Sequence, residues 1–130
     1  MGGKRFLLLA VLVLALLLCG ACGEAAQKVE PTADYNSIQE AIEAQRSGVD
    51  LVGKTIKVVM KQDSAAGIIY SEPDTQIKAN LYVTIITNDD NRDEVLGLKK
   101  GDTVVVTVDS FDDHLKYSIY VYALEYKIYR

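Results

Sequence analysis

Of the residue types that most often do chemistry at neutral pH, the 130 residues hold one histidine and two cysteines. The single histidine, His114, follows Asp112 and Asp113. A serine- or cysteine-type hydrolase needs a nucleophile, a base and an orienting group within hydrogen-bond reach. Nothing around His114 supplies that set, and the Asp112-Asp113-His114 run reads as a solvated turn. Asp89, Asn91 and Asp93 occupy the first, third and fifth places of an Asp-x-Asn-x-Asp opening, whose alternate oxygens can converge on calcium. Glu94 stands where the tight turn wants glycine, and Lys100 where a bidentate glutamate belongs. A full EF-hand loop is thereby excluded, and the segment reads as a charged hairpin loop with no metal assigned.

The densest chemical pattern is aromatic. By period two, Tyr120, Tyr122, Leu124, Tyr126 and Ile128 share one face of the last strand, while Tyr117, Ile119, Val121 and Ala123 share the other. One face then belongs in the core, and the second is covered by a helix or by a partner. Tyrosine rings with hydroxyls at their tips suit a wet surface that stacks on sugars, bases or peptides. Core and cross-strand packing is the competing reading. Tyr120, Tyr122 and Tyr126 are the candidate ligand-binding residues; no catalytic residue and no cofactor are assigned.

The two cysteines lie at the end of thirteen consecutive apolar residues, 6–18, behind Lys4 and Arg5. A spanning helix needs about 20 apolar residues, whereas a secretory h-region has about 7–15 with basic residues in front. The following Leu18-Cys19-Gly20-Ala21-Cys22-Gly23 resembles the bacterial lipoprotein signal, in which a peptidase cuts before a lipidated cysteine. Gly20 and Ala21 are the small residues this requires ahead of Cys22; Cys19 departs from the usual aliphatic residue. The resemblance implies a signal peptide over 1–21, a lipid on Cys22, and an extracytoplasmic address on a bacterial membrane. An uncleaved anchor or ordinary secretion is the alternative. Two or more acyl chains give stable anchoring, at about 0.8 kcal/mol per buried methylene. Cleavage leaves 109 residues with all 18 acids but 12 of the 14 bases, a balance of −6. Such a body repels polyphosphate, which argues against sequence-independent nucleic-acid binding. With one cysteine left and lipidated, neither a disulfide nor a zinc site can form from cysteine pairs.

Residues 22–35 are small, polar and charged, and read as a flexible tether. Ser37 with Glu40, or Asn36 with Gln39, forms a capping-box pattern ahead of Ile38, Ala41, Ile42 and Gln45. With Gly48 as a stop, one helix is predicted over roughly 37–47. Strands follow at Lys54–Lys61, Ile68–Tyr70, Ile77–Ile86, Thr103–Val108 and Lys116–Tyr129. Fourteen residues is long for one strand, so a bulge or bend near Ala123 is predicted. Five short strands with turns between them point to a small closed or nearly closed barrel.

Gly53-Lys54-Thr55-Ile56-Lys57-Val58 after a short helix, and Gly101-Asp102-Thr103-Val104-Val105-Val106 before the fourth strand, resemble a bacterial family of OB-fold domains often called tRNA-anticodon-like. The resemblance implies a mainly β domain over 36–130, a five-stranded OB-like barrel preceded by one short α-helix. It departs from the common OB order, in which a helix sits between the third and fourth strands; Asp93 to Lys99 leaves room for one turn at most. A small β-sandwich with an N-terminal helix is the alternative. Fold does not fix function. The leading expectation is a non-enzymatic, membrane-anchored lipoprotein that binds an envelope protein, peptide or glycan. An envelope enzyme or enzyme accessory using Asp89, Asp112 and Asp113, and a structural subunit of a lipoprotein assembly, are the other classes. Lys54, Lys57, Lys61 and Lys78 are the only candidates for a basic groove.

Overall fold

The computed structural model describes residues 31–130, and for His114 and Leu115 the backbone alone. The expected signal peptide, Cys22 and most of the expected tether lie outside the described residues.

A nine-residue helix, α1 (Ile38–Arg46), opens the folded part. Its start is built as the sequence predicts: Ser37 Oγ accepts from the Glu40 N–H at 3.2 Å, and Glu40 Oε2 accepts from the Asn36 N–H at 3.0 Å. The first bond satisfies a donor that the first turn leaves without a helical partner, and the second ties the residue ahead of the cap to the helix. Ile38, Ala41 and Ile42 form its buried stripe. Gly48, at φ 102°, carries the chain out in a conformation that disfavours any side chain.

The strands are β1 (Thr55–Val59), β2 (Ile68–Asp74), β3 (Ala79–Ile85), β4 (Thr103–Leu115) and β5 (Ser118–Tyr129). All five lie in one sheet, in the order β1-β4-β5-β3-β2, which curls into a half-barrel. A two-sheet sandwich is therefore corrected to a single curled sheet. Neighbours run antiparallel except β3 and β5, which are parallel. Alternation sends Ile56 and Val58 of β1, Leu81 and Val83 of β3, and Val104 and Val106 of β4 to the concave side. There α1 adds Ile38, Ala41 and Ile42 to the same core. Each such side chain is worth about 1.5–3 kcal/mol when fully removed from water.

Bulges bend the long strands. Thr107 and Val108 of β4 face Glu125 and Ala123 of β5, so Leu124 is the extra residue, where the sequence predicts a bulge or bend. An extra residue on β4, Asp109, follows at the step from Val108 to Ser110. Gly67 fixes the start of β2. Its φ is +85°, a Cβ there would lie 2.5 Å from the Ile85 carbonyl oxygen, and the Ile85 N–H donates to the Gly67 carbonyl at 2.9 Å.

Four local expectations are corrected. Asp112, Asp113 and His114 lie within β4, and the turn falls at Lys116 and Tyr117 instead. A β-strand tolerates Pro73 because β2 is at an edge of the sheet, where a missing N–H breaks no ladder. Between β3 and β4 the charged loop folds into a five-residue helix, α2 (Arg92–Leu96). Finally, the last two residues of the expected tether are part of the fold. Tyr35 donates to the Thr55 carbonyl at 3.1 Å and accepts from the Lys57 N–H at 2.9 Å, lengthening the sheet at β1. Asp34 Oδ2 accepts from the Thr55 N–H at 2.9 Å, and this bond holds the Asp34 carboxyl below its ordinary value.

Candidate ligand-binding face

The convex side of the sheet carries a row of tyrosines at its centre. Tyr82 on β3 is the parallel partner of Tyr120 on β5, and their rings stack with centroids 4.8 Å apart and planes 10° from parallel. Tyr122, two residues along β5, continues the row at 6.1 Å and 10°. All three are half-buried, whereas Leu81, Val83 and Val121 beside them are fully buried on the concave side. Sequence alternation and strand pairing together produce this. β3 and the first part of β5 alternate an aliphatic residue inward with a polar or aromatic residue outward, and the parallel register sets tyrosine against tyrosine. Aromatic pairs of this kind are worth about 0.5–1.5 kcal/mol beyond the area they bury.

Polar residues flank the row. Ser71 of β2 lies across from Tyr82 and Asp112 of β4 across from Tyr120; Thr84 and Ser110 lie on either side of Tyr122. Flat rings bordered by hydroxyl and carboxylate groups can stack on an apolar ring face while bonding to its polar rim. This is the surface chemistry expected of a site for sugars or for peptide side chains.

Of the three tyrosines named from sequence, the structure joins Tyr120 and Tyr122 and separates Tyr126. The extra residue Leu124 shifts the alternation by one, so Tyr126 pairs with Val106 and Ile128 with Val104, both core residues. The shared face predicted for Tyr120, Tyr122 and Tyr126 is therefore corrected: Tyr126 points the other way, packs against the core, and donates its hydroxyl to Glu94 Oε1 at 2.7 Å. Burial and then this bond to a carboxylate push its phenol up from 10.0 to about 12. Sequence reasoning missed Tyr82. The alternation Leu81-Tyr82-Val83-Thr84-Ile85 already put it outward, but which strand it would meet depended on a parallel pairing across distant segments.

The remaining candidates are dispersed. In the 88–94 loop, Asn88 Oδ1 accepts from the N–H groups of Asp90 and Asn91, and Asn91 Oδ1 accepts from the Asn88 N–H. The Asn91 oxygen that a cation would need is thus engaged with the loop itself, while Asp89 pairs with Arg92 at 3.2 Å. No group of three or more His, Cys, Asp or Glu among the described residues is placed to hold a metal ion. Asp112 and Asp113 are consecutive on β4, near the start of β3, whereas Asp89 lies beyond the end of β3.

The four lysines do not form one groove. Lys57 and Lys61 line a small cleft, about 160 Å³, between β1, the start of α1 and Tyr70. Within it Lys61 Nζ bonds Glu72 Oε2 at 3.0 Å, which raises the lysine above its ordinary value. Tyr70 donates to the same oxygen at 3.2 Å and accepts from Gln39 Nε2 at 2.8 Å. Lys78 lies instead on the wall of a separate cavity with Arg46 and Lys116. No protein-family model, no curated protein and no solved structure matches this chain.

Proposed function

We propose that this protein is a lipid-anchored, extracytoplasmic binding module, and that it takes an envelope glycan or peptide on the convex face of its sheet by stacking on Tyr82, Tyr120 and Tyr122. The row of three parallel, half-buried rings carries this reading. The anchor is supported by the basic residues Lys4 and Arg5, the thirteen-residue apolar run and the Gly20-Ala21-Cys22 segment. The OB-like reading is supported by five strands in one curled sheet, a parallel β3–β5 pair, and a short helix between β3 and β4. In OB-folds the exposed face around the second and third strands binds oligonucleotides and oligosaccharides; a −6 mature balance favours the uncharged choice.

Co-sedimentation of the full chain, in neutral detergent, with insoluble peptidoglycan tests the face, because that polymer presents sugar rings and peptides together. The expected result is saturable binding that Tyr120→Leu weakens about tenfold, a loss of about 1.4 kcal/mol. Equal retention of the native chain and Tyr120→Leu would count against it. Membrane fractionation of Cys22→Ala tests the anchor independently: the variant should leave the membrane fraction.

A further inference from the structure

A second cavity, of about 340 Å³, lies at the end of the half-barrel where the β2–β3 and β4–β5 turns approach the C-terminal end of α1. Its walls carry three cations, Arg46, Lys78 and Lys116, and one carboxylate, Asp113, beside the ring of Tyr117 and the apolar Ile77. This local excess of two positive charges sits in a chain whose net charge is −4. Among the described residues none of the three cations forms an ion pair, although Asp113 shares the cavity with them. The contrast with the other cleft is direct, since there Lys61 is held by Glu72.

The cations are also positioned. Arg46 is pinned by one bond, from Nη2 to the Ile77 carbonyl at 3.1 Å, which leaves its other N–H groups unspent. Lys116 Nζ lies 5.2 Å from the centre of the Tyr117 ring, which is 64% exposed. Lys78 adopts φ +61°, a left-handed conformation that is costly for a residue with a Cβ and that glycine or asparagine adopts far more readily. The turn imposes it: the Lys78 N–H donates to the Asp74 carbonyl at 2.8 Å, and Asp74 Oδ1 accepts from the N–H groups of Gln76 and Ile77. A strained lysine at the tip of such a turn adds nothing to the fold that glycine would not supply better. Its ammonium on the cavity wall is what glycine would lose.

We infer that this cavity binds a phosphate ester of a small polyol. A guanidinium fork and two ammonium groups supply N–H donors for a tetrahedral oxyanion, and the net excess of two charges matches a phosphate better than a single carboxylate. The cavity is larger than a bare ion needs and falls within the usual range for small-molecule sites, about 300–1,000 Å³. The exposed ring of Tyr117 gives the polyol a wall. Such a group can reach the site as the headgroup of a membrane lipid or as a free or polymeric polyol phosphate.

Amide NMR of the full chain in a neutral detergent tests this, with glycerol 3-phosphate and, separately, phosphatidylglycerol mixed into the micelles. The expected result is saturable shifts at Arg46, Lys78, Lys116 and Tyr117. Lys116→Glu should weaken binding about tenfold. Lys78→Gly should weaken it several-fold while raising the urea midpoint of unfolding, opposite signs that a merely structural lysine would not give. Saturation by both probes identifies a polyol phosphate in general, and saturation by phosphatidylglycerol alone a lipid headgroup; either supports the site. Absence of saturable shifts with both probes, or the same shifts from sodium chloride at matched ionic strength, would overturn it.

Discussion

The two halves of β5 carry the same residue type to opposite ends. Before Leu124, Tyr120 and Tyr122 stand on the convex face, stacked with Tyr82 and half-open to solvent. After Leu124, Tyr126 turns to the core side, and its hydroxyl is spent on Glu94. One inserted residue separates a tyrosine that helps hold the fold from tyrosines available to a ligand. Side-chain type therefore said less about role than the phase of the strand did, because a one-residue slip exchanges the faces of everything beyond it.

The contrast can be broken at four places, in decreasing order of expected effect on stability. Leu81 is fully buried on the concave side, directly beside Tyr82, and Leu81→Ala should cost about 3–5 kcal/mol by urea denaturation, through lost transfer energy and a residual cavity. Deleting Leu124 alone should keep Tyr126 and Ile128 inward, two and four places after Ala123, whereas deleting Leu124 and Glu125 together should turn Lys127 and Tyr129 toward the core in place of Tyr126 and Ile128. The expected cost of the double deletion is about 2–3 kcal/mol, the scale for polar groups placed against apolar surroundings without partners. A double-deletion variant of native stability would show that the phase beyond Ala123 does not matter to the fold.

Tyr126→Phe removes only the bond to Glu94 and should cost about 1 kcal/mol at neutral pH. It also gives a pH signature. The folded phenol is pushed up to about 12 from its ordinary 10.0, so the folded state keeps its proton longer than the unfolded chain does. This contribution is complete below pH 10 and is lost as pH rises from about 10 to about 12. The stability difference between the native chain and Tyr126→Phe should shrink across that window; a constant difference would mean the hydroxyl is not coupled to folding. Tyr120→Leu on the convex face should change stability least, by about 1 kcal/mol or less, the scale of its ring contacts. Its effect should fall on ligand binding instead.

Much of this arrangement was legible before the structure. The capped helix at Ser37, the five strands and a bulge or bend near Ala123 follow from capping chemistry, periodicity and strand length, which are local properties. That Tyr120 and Tyr122 share one face is legible for the same reason, but period two does not say whether that face is core or surface, because both faces of the strand are apolar. Strict period two groups Tyr126 with Tyr120 and Tyr122, and only the extra residue Leu124 reverses it. Tyr82 was overlooked because its importance comes from a parallel pairing with β5, a contact between segments some forty residues apart that periodicity does not report. The cavity of Arg46, Lys78 and Lys116 was hidden for a related cause. Its cations come from a helix and two separate turns, and Lys78 was grouped with lysines that the fold places elsewhere.

The central claim is that the convex tyrosines meet a ligand while the concave side builds the fold. The most direct measurement follows the tyrosine ring protons of the full chain by NMR during titration with soluble disaccharide-peptide fragments of peptidoglycan. The expected result is saturable shifts on Tyr82, Tyr120 and Tyr122, with Tyr70 and Tyr126 unmoved. Shifts absent from the three convex rings, or equally large on Tyr126, would contradict it.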